Sequence, residues 1–168
     1  VFTVVRDPIS RFVSGIKMLA KINHEFMPAV VTESYSRNSK DPNWFLPFLE
    51  QGLLRRAMQE THMTPIDFCI GNYLNSIEYV CSLEKIEKLQ TKLNKECGTN
   101  ISFGHIFQSS VTNQPTLEEK HLDILLNEYR LDNSYNLIKG LSKIHPAVID
   151  YNPTYWLLPE EKRRERYA

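Results

Sequence analysis

Val1-Phe2-Thr3-Val4-Val5-Arg6-Asp7-Pro8-Ile9-Ser10-Arg11-Phe12-Val13-Ser14-Gly15-Ile16 sets out a strand, a tight turn and a helix in immediate succession. Residues 1–5 are β-branched or aromatic apart from one threonine, the pattern of a strand buried on both faces, and predict a central strand. Arg6-Asp7-Pro8 then ends it. A carboxylate at Asp7 suits a helix N-cap, Pro8 suits the first helical position, and Phe12, Ile16 and Leu19 make an apolar stripe at helical spacing. A strand that begins without methionine reads as the inside of a longer chain, so an N-terminal truncation is expected.

A second strand-to-helix unit follows later in the chain. Residues 77–81 predict a second strand, followed at once by residues 83–97, where Leu83, Ile86, Leu89 and Leu93 recur at helical spacing and Gly98 supplies a stop. Between the two units, residues 23–41 are polar and predict an irregular surface excursion able to contact a substrate. Residues 41–60 predict a helix burying Trp44, Phe45, Phe48, Leu49 and Leu53, made imperfect by Pro47 and Gly52. After a loop over 99–115, Thr116 and Glu119 form a capping box for a helix reaching Arg130, and 132–139 predict another short helix. From Glu160 the charged stretch Glu160-Glu161-Lys162-Arg163-Arg164-Glu165-Arg166 reads as a solvated, frayed tail over 160–168. Alternating strands and helices imply an α/β fold with a mainly parallel sheet and many helices, in a single domain over 1–168.

Bulk composition narrows the function. The chain of 168 residues is 42% hydrophobic and carries 20 lysines and arginines against 20 aspartates and glutamates. No overall basic field exists to favour nucleic acid, so any anion site must be local. Cys69, Cys81 and Cys97 are odd in number and lack metal-type spacing, which supports neither a disulfide framework nor a zinc site. No apolar run reaches the roughly 20 residues of a membrane span.

A local anion site is what the first turn offers. The start of a helix presents unpaired N–H groups and the positive end of the helix dipole. Arg6 stands at the C-terminal end of a strand, where open α/β sheets bind ligands, and its planar fork can hold a phosphate through two charge-assisted bonds. Ser14 lies on the following helix and offers a hydroxyl. Each also has a structural use: an arginine-aspartate turn capped by proline is a common device, and Ser14 can back-bond to its own helix. Arg11, three residues before Ser14 on one face, is read as supporting.

The same stretch resembles the 3′-phosphate-binding signature of membrane-associated, Golgi-type carbohydrate sulfotransferases: arginine-aspartate-proline, two residues, arginine, two residues, serine. Ile16 departs from the aromatic usual two positions after the serine. Residues 77–86 resemble the family's late strand running into a glutamate-bearing helix. His105 to Ser110 resembles a histidine-bearing loop without its usual asparagine, and 116–136, with Tyr129-Arg130-Leu131-Asp132, resembles the closing helix. The likeness spans 1–136. It implies an incomplete P-loop, nucleotide-kinase-like sulfotransferase fold, the C-terminal portion of the domain. Arg6 and Ser14 would hold the 3′-phosphate of the co-substrate 3′-phosphoadenosine 5′-phosphosulfate, and the acceptor would be a carbohydrate or glycoconjugate. The compartment would be the Golgi lumen, through a lost N-terminal membrane anchor, for a eukaryotic source and the cytoplasm for a bacterial one.

No glycine-rich, lysine-bearing loop follows a strand in this sequence, so the family's 5′-phosphosulfate half is missing and no catalytic residue is carried over. A fragment of this kind is expected to be inactive alone. Two rivals follow: a non-catalytic module binding adenosine 3′,5′-bisphosphate, and a kinase-like phosphoryl transferase, disfavoured because no Walker-type loop or paired metal carboxylates are visible. Of the histidines, His121 reads as solvated, His145 as preceding a proline turn, and His24 and His62 as without a partner of evident role, while His105 alone merits a catalytic test. Glu84 reads as a carboxylate favouring a helix start, and Met18, Met27, Met58 and Met63 as core filling. Asn100-Ile101-Ser102 is a glycosylation sequon that matters only in a secretory lumen.

Overall fold

Strand β1 (Phe2–Val5) pairs in parallel with β2 (Tyr79–Ser82), with Phe2 opposite Tyr79 and Val5 opposite Ser82. The structure, a computed structural model, describes residues 2–61, 63–103, 114–144 and 152–165. Among them the sheet has these two strands only, surrounded by helices, so the protein is α/β but mostly helical. β1 therefore has one hydrogen-bonded neighbour among the described residues. Burial grows along it from Phe2, 47% exposed, to Val5, fully buried, in place of the two-faced burial expected. β2 begins two residues later than its apolar run. A 3₁₀ stretch, Gly71–Ser76, precedes it, and the Ile77 N–H closes onto the Leu74 carbonyl.

Helix α1 (Pro8–Lys21) forms as its sequence dictates. Asp7 caps it by accepting the Ser10 N–H, and Pro8 opens it. Ile9, Phe12, Val13, Ile16 and Leu19 are buried, each contributing about 1.5–3 kcal/mol relative to exposure. The Phe12 ring meets Tyr129 edge-on at 5.3 Å and Phe45 at 6.5 Å, which places α1 at the centre of the core.

Residues 23–41 are not irregular. They contain α2 (Ala29–Asn38), which packs on α1. Only Val31 on it is buried, so no apolar stripe announced it. The helix expected over 41–60 is broken into α3 (Leu46–Glu50) and a 3₁₀ stretch, Arg55–Gln59. Gly52, at φ 69°, turns the chain between them. Leu54, not Leu53, then enters the core. A short α4 (Ile66–Ile70) follows.

After β2 the chain makes a 3₁₀ turn, Leu83–Lys85, and then α5 (Ile86–Cys97), which ends at Gly98 in the left-handed conformation as expected. Beyond it, Thr116 does not cap a helix. Its N–H is held by Asn43 Oδ1 at 2.9 Å, and buried Leu117 keeps the chain outside the helix. The cap moves to Glu118, whose partner in a reciprocal capping box is His121, and α6 runs Glu119–Asp123. It widens into a π-helical turn, Ile124–Glu128, before α7 (Leu131–Ile144), longer than expected. A 3₁₀ stretch, Pro153–Leu157, and α8 (Glu160–Glu165) complete the described chain.

The charged tail is not wholly solvated. Arg163 is buried, donates to the Pro115 carbonyl at 3.0 Å and lies over the Trp156 ring at 5.4 Å. Aromatic surface and a carbonyl together accept a guanidinium that composition alone would place in water. Of the methionines, Met27 and Met63 are buried and Met58 packs partly on the core, but Met18 is 37% exposed.

Candidate functional site

Parallel pairing in register brings the C-terminal ends of β1 and β2 to one edge, so Arg6-Asp7 and Leu83-Glu84 leave the sheet side by side. Arg6 is half-buried there. Its guanidinium has no hydrogen-bond or ion-pair partner among the described residues. It lines a small depression together with Arg11 of α1, Met63, Ile66, and Leu131 and Ser134 of α7. The closed part measures about 10 Å³, room for one water molecule. The enclosed space is therefore too small for a phosphate.

Arg11 is the more constrained of the pair. One guanidinium nitrogen donates to the Thr64 carbonyl, which fixes its direction. Burial pulls its pKa below the ordinary arginine value, while Cys69 and Glu60 nearby pull the other way. Arginine starts so high that it keeps its charge. The rim is tied as well, because the Ser134 hydroxyl donates to Asp67 Oδ1 at 2.7 Å and joins α7 to α4.

Behind the depression lies Asp7, fully enclosed. Its Oδ1 accepts from the Ser10 N–H at 2.7 Å and the Trp156 indole N–H at 3.2 Å, and its Oδ2 accepts from the Tyr135 hydroxyl at 2.6 Å. Burial raises the carboxyl above its ordinary range, the Tyr135 hydroxyl and the Ser10 N–H and hydroxyl oppose this, and neighbouring Glu84 adds to the rise. The Tyr135 phenol is pushed up in turn, by burial first and by the adjacent carboxylate second. Asp7 thus holds Arg6 by locking the turn to two distant segments. Sequence reading found Asp7 as a cap and missed Tyr135 and Trp156, since no short-range pattern links them.

Ser14 is half-buried on α1 and does not line the depression. Arg6 and Arg11 line the same depression. Ile16, where the family pattern has an aromatic, is fully buried. Glu84 is exposed at the turn after β2 and is close enough to act electrostatically on Asp7 and Cys81.

The histidines divide. His121, read as solvated, is buried: its Nδ1 accepts the Glu118 N–H at 3.1 Å and its Nε2 lies 2.7 Å from Glu50 Oε1. Nδ1 closes the cap of α6 and Nε2 ties α6 to α3, so both ring nitrogens are engaged. Lys120 also reaches Glu50 at 2.9 Å, and these two partners, Lys120 first, lower the Glu50 carboxyl. His24 is partnered as well. Its Nδ1 accepts the Phe26 N–H at 3.3 Å, and its ring rests against that of Phe26. His62, His145, and His105 with the stretch to Ser110 lie outside the described residues.

Cys69, Cys81 and Cys97 are free, and burial raises the Cys81 thiol, which suits packing and not nucleophilic attack. No cluster of three or more metal-ligating side chains occurs among the described residues, and no helix of theirs is long and apolar enough to cross a membrane. Comparison with known protein families, curated proteins and solved structures finds no match.

Proposed function

We propose that the surface at the end of β1 binds the 3′-phosphate of 3′-phosphoadenosine 5′-phosphosulfate, and that the chain is the C-terminal portion of a carbohydrate sulfotransferase on a P-loop, nucleotide-kinase-like fold. One observation carries the reading. Arg6 leaves a parallel strand beside a capped helix N-terminus with its guanidinium unpartnered among the described residues and a second guanidinium, Arg11, lining the same depression. An arginine kept for structure normally meets a carboxylate or carbonyl, as Arg163 and Arg11 do. The resemblance over 1–136 supplies the identity of the anion, and it assigns Ser14 a hydroxyl contact to the same phosphate.

In this reading the chain's own residues bind and orient. Arg6 takes two phosphate oxygens through its fork, Asp7 holds the turn that aims it, and the N–H groups opening α1 add the positive end of the helix dipole. The nucleotide lies across the open surface, since the closed depression is water-sized. Transfer of the sulfuryl group to a sugar hydroxyl needs a cation at the 5′-phosphate and a base at the acceptor, and no residue here is assigned to either.

A second reading, a module that binds adenosine 3′,5′-bisphosphate without transferring anything, is favoured by the lack of a glycine-rich, lysine-bearing loop in this sequence. Calorimetric titration with adenosine 3′,5′-bisphosphate tests what both share. Arg6→Ala is expected to weaken binding by about 1.5–3 kcal/mol, the range for a bond to a charged group. Equal affinity in the two proteins defeats the assignment of Arg6. Sulfuryl transfer by the chain joined to an upstream lysine-bearing loop separates enzyme from binder, and magnesium dependence of any transfer favours the kinase-like alternative.

A further inference from the structure

Past Gly98 the chain is fastened to the helix it has just left. The Asn94 side chain does most of this: its Nδ2 donates to the Ile101 carbonyl at 2.9 Å, and its Oδ1 accepts the Ile101 N–H at 2.7 Å and the Thr99 hydroxyl at 2.9 Å. One turn earlier on α5, Gln90 Oε1 accepts the Phe103 N–H at 2.7 Å. Residues 95–102 are nevertheless all exposed. The side chains of Asn100 and Ser102 make no hydrogen bond among the described residues. A backbone pinned at Ile101 therefore presents a free carboxamide and a free hydroxyl two residues apart.

That pair has the spacing of an N-glycan acceptor, which belongs on an exposed loop. Asn100-Ile101-Ser102 is the one Asn-X-Ser/Thr triplet in the sequence without a central proline. In the other triplet, Asn152-Pro153-Thr154, the carboxamide is already used: Asn152 Oδ1 accepts the Thr154 N–H at 3.1 Å and the Thr154 hydroxyl at 2.8 Å. Position matters as well. Helix α5 starts at the C-terminal edge of the sheet and packs back along β2, with Lys92 over the ring of Tyr79, the first residue of that strand, at 5.0 Å. Its 12 residues span about 18 Å, so residues 98–102 stand past the edge of the sheet opposite Arg6.

We propose that Asn100 is an acceptor for an N-linked glycan, carried as a covalent part of the chain on the side away from the phosphate surface. The co-reactant is an oligosaccharide on a polyprenyl diphosphate, presented by a membrane-bound oligosaccharyl transferase. Asn100 Nδ2 attacks C1 of the first sugar, and the C1–O bond breaks with its electron pair leaving on the diphosphate. One N–H proton passes to a base of the transferase, and nothing is oxidised or reduced. Because the Ile101 backbone is held by Asn94 and the neighbouring residues are exposed, the folded protein carries the branch without moving its backbone. The inference does not depend on the reading of Arg6.

The test places the full chain behind a cleavable secretion signal in cultured eukaryotic cells. Peptide N-glycosidase digestion in heavy-oxygen water is then read by peptide mass mapping. The expected result is a loss of mass on digestion, confined to the peptide holding Asn100, whose residue becomes a heavy-oxygen aspartate. Asn100→Gln and Ser102→Ala are each expected to abolish it, and Ser102→Thr, which keeps the hydroxyl, to retain it. Removing the glycan from the folded protein is expected to shift Tm by no more than about 2 °C, as for a change on an open surface. Arg6→Ala is expected to leave the modification unchanged, and Asn100→Gln to leave adenosine 3′,5′-bisphosphate affinity unchanged, which separates failure of this proposal from failure of the other. A chain whose signal has been removed but which carries no digestible mass overturns the proposal. So does a glycan that survives Ser102→Ala, or one whose removal shifts Tm beyond that limit.

Discussion

Asp7 is a carboxylate enclosed by the protein and served by three neutral donors, with no cation bonded to it among the described residues. Burial sets the sign of its linkage to pH. Its folded-state pKa lies above the ordinary 3.8, so the folded protein binds this proton more tightly than the unfolded chain does. The associated stability is complete below the unfolded-state pKa and is lost as pH rises through the folded-state value. Asp7→Asn keeps an acceptor for the Ser10 N–H and removes the titration. The stability of wild type relative to Asp7→Asn is therefore expected to fall as pH is raised from below the ordinary carboxyl value of 3.8, read by urea unfolding across a pH series. A flat or rising difference contradicts the assignment. As a helix cap, Asp7 was legible from Pro8 and the apolar stripe beyond it. Its role as a hub was not, because Tyr135 and Trp156 lie far along the chain and carry no mark distinguishing them from other buried aromatics.

Helix α6 shows how burial overrides a local signal. Thr116 and Glu119 have the spacing of a capping box, yet the buried side chain of Leu117 holds that turn open, and Glu118 with His121 takes the role. His121→Ala removes an acceptor for the Glu118 N–H and the bond to Glu50 together, and is expected to cost about 1–3 kcal/mol in chemical denaturation. Lys120→Ala, which touches the same Glu50 from the exposed side, is expected to cost about 0–1 kcal/mol. Equal losses would mean that the histidine is no more than a surface partner. Helices with a continuous stripe, α1 and α5, were readable. Helix α2 was not, because it rests on α1 through one fully buried residue and its remaining surface is polar, so a period of 3.6 never emerges.

At the scale of the molecule, the parallel strand-turn-helix units were legible, and the sheet is indeed parallel. What closes the molecule is the last described segment, of which only the part from Glu160 on reads as a solvated tail. Trp156 bonds to Asp7, Tyr155 donates to the Arg163 carbonyl at 2.7 Å, and Arg163 reaches Pro115. Ending the chain at residue 151 strips away the indole, and loss of a buried tryptophan alone costs about 3–5 kcal/mol. Tm is expected to drop by at least about 6 °C in calorimetry; an unchanged Tm would show that the last described segment is ornamental. The same bond has a bearing on how the protein is made. A ribosome emits Asp7 early and Trp156 late, an interval on the order of ten seconds at roughly 5–20 residues per second. Throughout that interval the nascent chain carries an acidic group destined for an interior whose last donor has not yet been translated, and its apolar first helix waits half-covered, a natural client for whatever shields emerging polypeptides in the cell.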